Sequence, residues 1–79
     1  MYFVYILQSD KDNSYYTGFT TDLEKRIREH NSGHADYSSS KRPYHLVWHC
    51  VFLDKDKAAR FEKYLKTGSG IAFSRKRFV

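Results

Sequence analysis

Cysteine is nearly absent. The one thiol, Cys50, excludes an internal disulfide framework and any zinc site built from clustered thiolates, and it makes a reducing cytoplasm the expected compartment. Long apolar runs are missing too. None reaches the ~18 residues that a membrane span needs, and Met1 opens onto an apolar strand with no charged segment before it, the pattern of a soluble, untargeted chain away from the membrane. At 79 residues the chain is too short for two domains, so 1–79 is expected to form one domain with a single modest core. Acidic residues are outnumbered: nine Asp and Glu face 14 Lys and Arg, giving a net charge of +5 and a pI near 9.4. A field of that sign favours polyanions such as nucleic acid over acidic proteins or neutral metabolites. What the sequence has in excess is aromatic rings, 18% of its residues with seven Tyr, each expected first as core packing with a polar tip at the surface.

Tyr2 to Leu7 is a continuous apolar and aromatic run without polar alternation, which predicts a strand covered on both faces. Ser9 to Ser14 has the composition of a turn, and Tyr15 to Phe19 follows as a second strand, making a hairpin. Thr20 or Thr21 is placed to cap a helix over residues 21–32, with Asp22 and Glu24 in its first turn and Asn31-Ser32-Gly33 at its end. The polar stretch from Gly33 to Tyr44 reads as a mobile loop. Leu46 to Leu53 predicts a third strand. Asp54-Lys55-Asp56 then caps a second helix reaching about Lys66, and Thr67-Gly68-Ser69-Gly70 reads as its terminator. Residues 71–79 leave space for one further helical turn. The order is ββαβα with a basic tail, an α+β arrangement.

Several residues break the pattern of their element. Ala58, Phe61, Glu62 and Leu65 share one helix face, so a carboxylate stands where packing would place a hydrophobe. Glu62 is either paired with Lys66 one turn later or held on a rigid helix as a metal ligand. On the first helix His30 falls inside the apolar stripe of Leu23 and Ile27, with Arg26 flanking it one turn earlier. That His is either a hydrogen-bonded core residue or, beside an always-charged guanidinium, part of a phosphate site. Zinc pairs are excluded, because His30 and His34 straddle the helix end while His45 and His49 sit on one strand face about 13 Å apart. Cys50 reads as a small buried hydrophobe. Lys41 and Arg42 in the loop, Lys66, and Arg75, Lys76 and Arg77 in the tail are either solvated charges or contacts to phosphates.

Taken in order, Phe3-Val4-Tyr5 in the first strand, Tyr16-Thr17-Gly18 in the second, Arg26 and His30 on the first helix and Glu62 on the second resemble the GIY-YIG nuclease family. The likeness spans essentially the whole chain and is that of a small stand-alone member, similar to the N-terminal nuclease domain of the excinuclease C subunit. Its specific parts are Tyr15-Tyr16-Thr17-Gly18 with Thr20, Glu24 and Arg26 downstream, and the later segment from Glu62 to Lys66. Phe3 stands where the family has its first Gly and Thr17 where it has Ile, and no Asn lies near the end of the chain.

The resemblance implies a three-stranded, mostly antiparallel sheet flanked by helices, and metal-dependent cleavage of phosphodiester bonds. DNA is the expected substrate, and DNA repair the expected setting. Carried over by position, Glu62 binds one divalent metal, Mg²⁺ or Mn²⁺, and Arg26 clamps the scissile phosphate. Tyr5, Tyr16 and His30 hold and deprotonate the attacking water, with the proton acceptor left open among the three. Specificity would come from substrate shape, from the loop between Gly33 and Tyr44, or from a partner protein. A non-catalytic nucleic-acid-binding module of the same fold is the alternative. Glu62 separates the two, because an anion beside a phosphate-binding surface weakens plain binding while a hydrolytic site for a hard cation needs a carboxylate.

Overall fold

The structure is a computed structural model that describes residues 1–33 and 39–78. Of the loop expected from Gly33 to Tyr44, residues 34–38, His34 among them, lie outside the described residues, while Ser39–Lys41 forms a short 3-10 helix and Tyr44 already belongs to the third strand. Three strands, β1 (Tyr2–Ser9), β2 (Tyr15–Thr20) and β3 (Tyr44–Phe52), form one antiparallel sheet in the order β2-β1-β3. Around it stand α1 (Leu23–Ser32), α2 (Lys55–Leu65) and α3 (Gly68–Arg77). The central strand serves two layers, which is why it is an unbroken apolar run. Val4 and Ile6 pack with Ala58 and Leu65 of α2 on one face, and Tyr5 and Leu7 pack with Leu23 and Ile27 of α1 on the other. Helices on opposite faces leave β2 as an edge strand running between them.

Local chemistry sets where each helix begins. Asp22, rather than Thr20 or Thr21, caps α1: its Oδ1 accepts from the Lys25 amide at 3.1 Å, while the Thr20 hydroxyl accepts from the Asp22 amide in the turn before it. A carboxylate at this position also meets the positive end of the helix dipole, which a hydroxyl does not. Asp54 caps α2 as expected, accepting from the amides of Asp56 and Lys57.

The segment Thr67-Gly68-Ser69-Gly70 starts a helix instead of merely ending one. Thr67 Oγ1 accepts from the Gly70 amide at 3.1 Å, and the expected single turn is a ten-residue helix. Two glycines weaken a helix by propensity, but a side chain at position 70 would run into the Tyr64 carbonyl, so glycine is what lets α3 start directly against the end of α2. The packing of Phe73 and Phe78 onto the α2 side of the sheet outweighs the propensity cost.

β3 begins at Tyr44, two residues before the expected Leu46, and carries a β-bulge. Ile6 pairs with Trp48 and Leu7 with Leu46, so Val47 is the extra residue, and both Val47 and Trp48 pack toward α2. One inserted residue reverses the faces of the strand on either side of it. His49 therefore lies opposite Tyr5 and His45 opposite Gln8, which places the two histidines on opposite faces of the sheet and not on one.

Candidate active site

Gly18 pairs directly opposite Tyr5. A Cβ at position 18 would overlap the Tyr5 hydroxyl and ring, so Tyr5 lies across bare backbone and carries its hydroxyl toward the β2 edge. Any side chain at 18 would displace it. Tyr16 is two residues away on the same strand and so presents its ring on the same face. The Tyr-Thr-Gly order is thus a geometric device: one ring is supplied by β2, and the gap that admits the other is left by β2.

α1 completes the cluster. His30 is fully buried, with Nε2 3.0 Å from the Tyr5 hydroxyl, and its ring meets Tyr16 edge-on at a centroid separation of 4.5 Å. One turn earlier, Arg26 faces the hydroxyls of Tyr5 and Tyr16 while its Nη1 holds Glu29 Oε1 at 3.1 Å. Burial pushes the Tyr5 phenol up to about 12; Arg26 pulls the other way, and Tyr16 and Glu62 add to the rise. Burial, followed by the Arg26 charge, lowers His30 to about 4 against a small opposing effect of Glu29. For Arg26, burial favours the neutral form, but Glu29 and the two phenols more than offset it and raise its pKa. At neutral pH the cluster is a neutral imidazole hydrogen-bonded to a neutral phenol, beside a fixed positive charge.

The buried imidazole makes stability depend on pH. Because the pKa of His30 is lower in the folded chain than its ordinary 6.5, the unfolded chain takes up the proton first. Its contribution is full above pH 6.5 and is lost as the pH falls through about 4. Urea midpoints of wild type and His30→Gln should therefore converge as the pH is lowered across that window. Parallel curves would contradict the buried neutral state.

Glu62 projects from α2, whose apolar stripe it interrupts, with a side chain only 18% exposed and Oε2 2.7 Å from Lys66 Nζ. The i,i+4 pair expected of the two residues is present. Its charge adds, as the smallest of five influences, to the rise of the Tyr5 phenol. Among the basic residues, Lys66 lines two adjoining cavities at this edge, Lys41 lines one and Arg75 the other. Lys41 also pairs with Asp12 at 3.3 Å. Arg42, Lys76 and Arg77 line neither cavity; Arg77 sits over the Phe73 ring at 5.3 Å, and the Arg42 guanidinium lies against Gly33.

Two residues of the cluster were not singled out from the sequence. Tyr44, only 6% exposed, sets its ring against both Tyr16 and His30, with centroids 6.4 and 5.9 Å away. Asn31 clamps the Tyr44 backbone from both sides, its Oδ1 accepting from the Tyr44 amide at 2.6 Å and its Nδ2 donating to the Tyr44 carbonyl at 3.1 Å. The alternation of Tyr44 with Leu46 was the available signal, since both face α1.

The profile of the GIY-YIG catalytic domain matches residues 1–71. The chain belongs to the GIY-YIG family. It is 46% identical over 69 residues to the UPF0213 protein SH2523 of Staphylococcus haemolyticus, covering 86% of this chain and 83% of that one. To the UPF0213 protein BH0048 of Halalkalibacterium halodurans it is 44% identical over 66 residues, 82% of this chain and 69% of the other. The solution NMR structure of the UPF0213 protein BH0048 from Bacillus halodurans superposes with a TM-score of 0.59 at 38% identity, over 96% of this chain and 82% of that chain. GIY-YIG is a nuclease family, so its substrates are nucleic acids. Its members generally use a divalent metal, and the donors present fit a hard one. Among the described residues no three His, Cys, Asp or Glu side chains gather as a tetrahedral zinc site would require. A single half-buried carboxylate is what a hydrated Mg²⁺ or Mn²⁺ takes from a protein when substrate oxygens and waters supply the rest. Among the described residues no helix is long and apolar enough to cross a membrane.

Proposed function

We propose that this GIY-YIG chain is a divalent-metal-dependent endonuclease that hydrolyses phosphodiester bonds in DNA. The observation that carries the reading is the meeting of Tyr5, Tyr16, Arg26 and His30, from three different elements, at one edge of the sheet. A structural role for that set would not need a guanidinium facing two phenol hydroxyls at the sheet edge.

In this reading Arg26 binds the scissile phosphate, and its fork matches the oxygens on which negative charge grows as the water attacks. Glu62 would hold the metal, which when bound neutralises further charge on the phosphate and the leaving oxygen. With Glu62 so engaged, Lys66 is released from its ion pair to contact a neighbouring phosphate. Tyr5 is no phenolate at neutral pH, so it does not act as a base alone. Its hydroxyl meets a neutral imidazole, and a proton arriving from water at the Tyr5 oxygen can be matched by one passing from Tyr5 to His30 Nε2. Tyr16 packs on His30 and faces Arg26, holding both in place.

The test is cleavage of end-labelled duplex, flap and single-stranded DNA. Products are expected in Mg²⁺ or Mn²⁺ and not in chelator. Failure to cut any of the three with either ion would leave the chain a binding module.

A further inference from the structure

The two adjoining cavities differ in kind. One, about 520 Å³, lies on the α1 side with Tyr16, Tyr44 and Lys41. The other, about 490 Å³, lies between the β1–β2 turn, β2 and α3; of the five candidate catalytic residues Tyr16 alone lines either cavity. Its floor is Ile6 and Leu65, each 2% exposed, and its walls include Ile71 and the ring of Tyr15, 41% and 40% exposed. Tyr15 pairs opposite Gln8 and so points to the α2 side of the sheet, whereas Tyr16 points to the α1 side. Both residues, together with Ser14 and Lys66, line both cavities. One continuous groove therefore wraps around the edge of β2, from the rings of Tyr16 and Tyr44 to an apolar recess behind it.

We propose that this recess holds one unpaired nucleobase of the substrate strand, with Tyr15 as its stacking face and Lys66 and Arg75 as contacts to the flanking phosphates. The inference rests on the nuclease reading and narrows its substrate to nucleic acid with an unpaired nucleotide beside the scissile bond. Three features select this occupant. An exposed aromatic wall over a buried aliphatic floor suits a flat, apolar-faced ring. The volume is that of a small-molecule pocket, roughly 300 to 1,000 Å³, and so admits a base while excluding a duplex. Arg75 lines the recess, and among the described residues no carboxylate pairs with it, so its charge is uncompensated where an anion would pass. The hydroxyl of Ser74 is committed to the Ile71 carbonyl at 3.0 Å, and that of Ser14 to Asp12 at 2.6 Å, which leaves the side chains of Asn13 and Thr17 in the lining to meet a base edge. Capture is by stacking on Tyr15.

The test measures affinity in chelator, where no cutting occurs, for a short oligothymidylate and for a fully paired duplex, together with cleavage in Mg²⁺. Tyr15→Ala should weaken the single strand by about five- to 150-fold, the usual loss of one stacked base, and leave the duplex within about twofold. Arg75→Ala should weaken the single strand and reduce its salt dependence. Tyr15 is exposed and lies outside both core clusters, so its truncation leaves the fold intact, which a thermal melt checks. Equal losses on both ligands, or none on either, would overturn the pocket. A wild type that binds and cuts only paired DNA would overturn it while sparing the nuclease. A wild type that neither binds nor cuts any nucleic acid would overturn both.

Discussion

Arg26→Ala should lower the cleavage rate by on the order of 10² to 10³ while costing far less in affinity, because its work is done as charge develops on the phosphate. Removing it has three consequences at once. The phosphate loses a bidentate donor. The Tyr5 phenol, already near 12 from burial, loses the neighbour that holds it down and rises further. His30 loses the charge that, with burial, depresses it, so its pKa moves upward from about 4. The pH profile of any residual activity should shift along with its height. On the binding side only one phosphate contact goes, and the slope of log affinity against log salt should fall by about 0.9. Arg26 belongs to neither core cluster, so the variant should fold normally. Arg26→Lys keeps the charge without the fork and should fall between the two. An Arg26→Ala protein that cuts at the wild-type rate would remove this residue from the chemistry.

The parts of this site that could be read from the sequence were those that violated their own element. His30 stood in the stripe of Leu23 and Ile27, and it meets Tyr5 and Tyr16 beneath β2; Glu62 stood in the stripe of Ala58, Phe61 and Leu65, and it pairs with Lys66. A polar residue on an apolar face has to be accounted for, and helical spacing says in advance which way it points. The strand order of the first hairpin and the two-sided burial of β1 were legible for the same reason, in the unbroken run from Tyr2 to Leu7.

What could not be read depended on a single inserted residue or on contacts between distant segments. No local signal separates Val47 as a bulge from Val47 as ordinary strand, since both Val47 and Trp48 are apolar and both end up packed toward α2. Tyr44 joins the rings of Tyr16 and His30 with its backbone gripped by Asn31, thirteen residues earlier. The start of α3 at Gly68 required the Tyr64 carbonyl to be its neighbour, a fact of packing that outweighs the poor helix propensity of two glycines.

The central claim, that the carboxylate on α2 serves a hydrolytic site and does not merely pair with Lys66, is tested most directly by Glu62→Gln. The change keeps the shape of the side chain and removes its charge. If Glu62 holds the metal, cleavage in Mg²⁺ should fall by on the order of 10² to 10³, as for the loss of another preorganised stabiliser of the transition state. DNA affinity in chelator should stay equal or become tighter, because one repulsive anion is gone and Lys66 is freed for phosphate. Loss of cutting with retained binding is thus the expected result. A Glu62→Gln protein that cuts DNA in Mg²⁺ as fast as wild type would contradict the account.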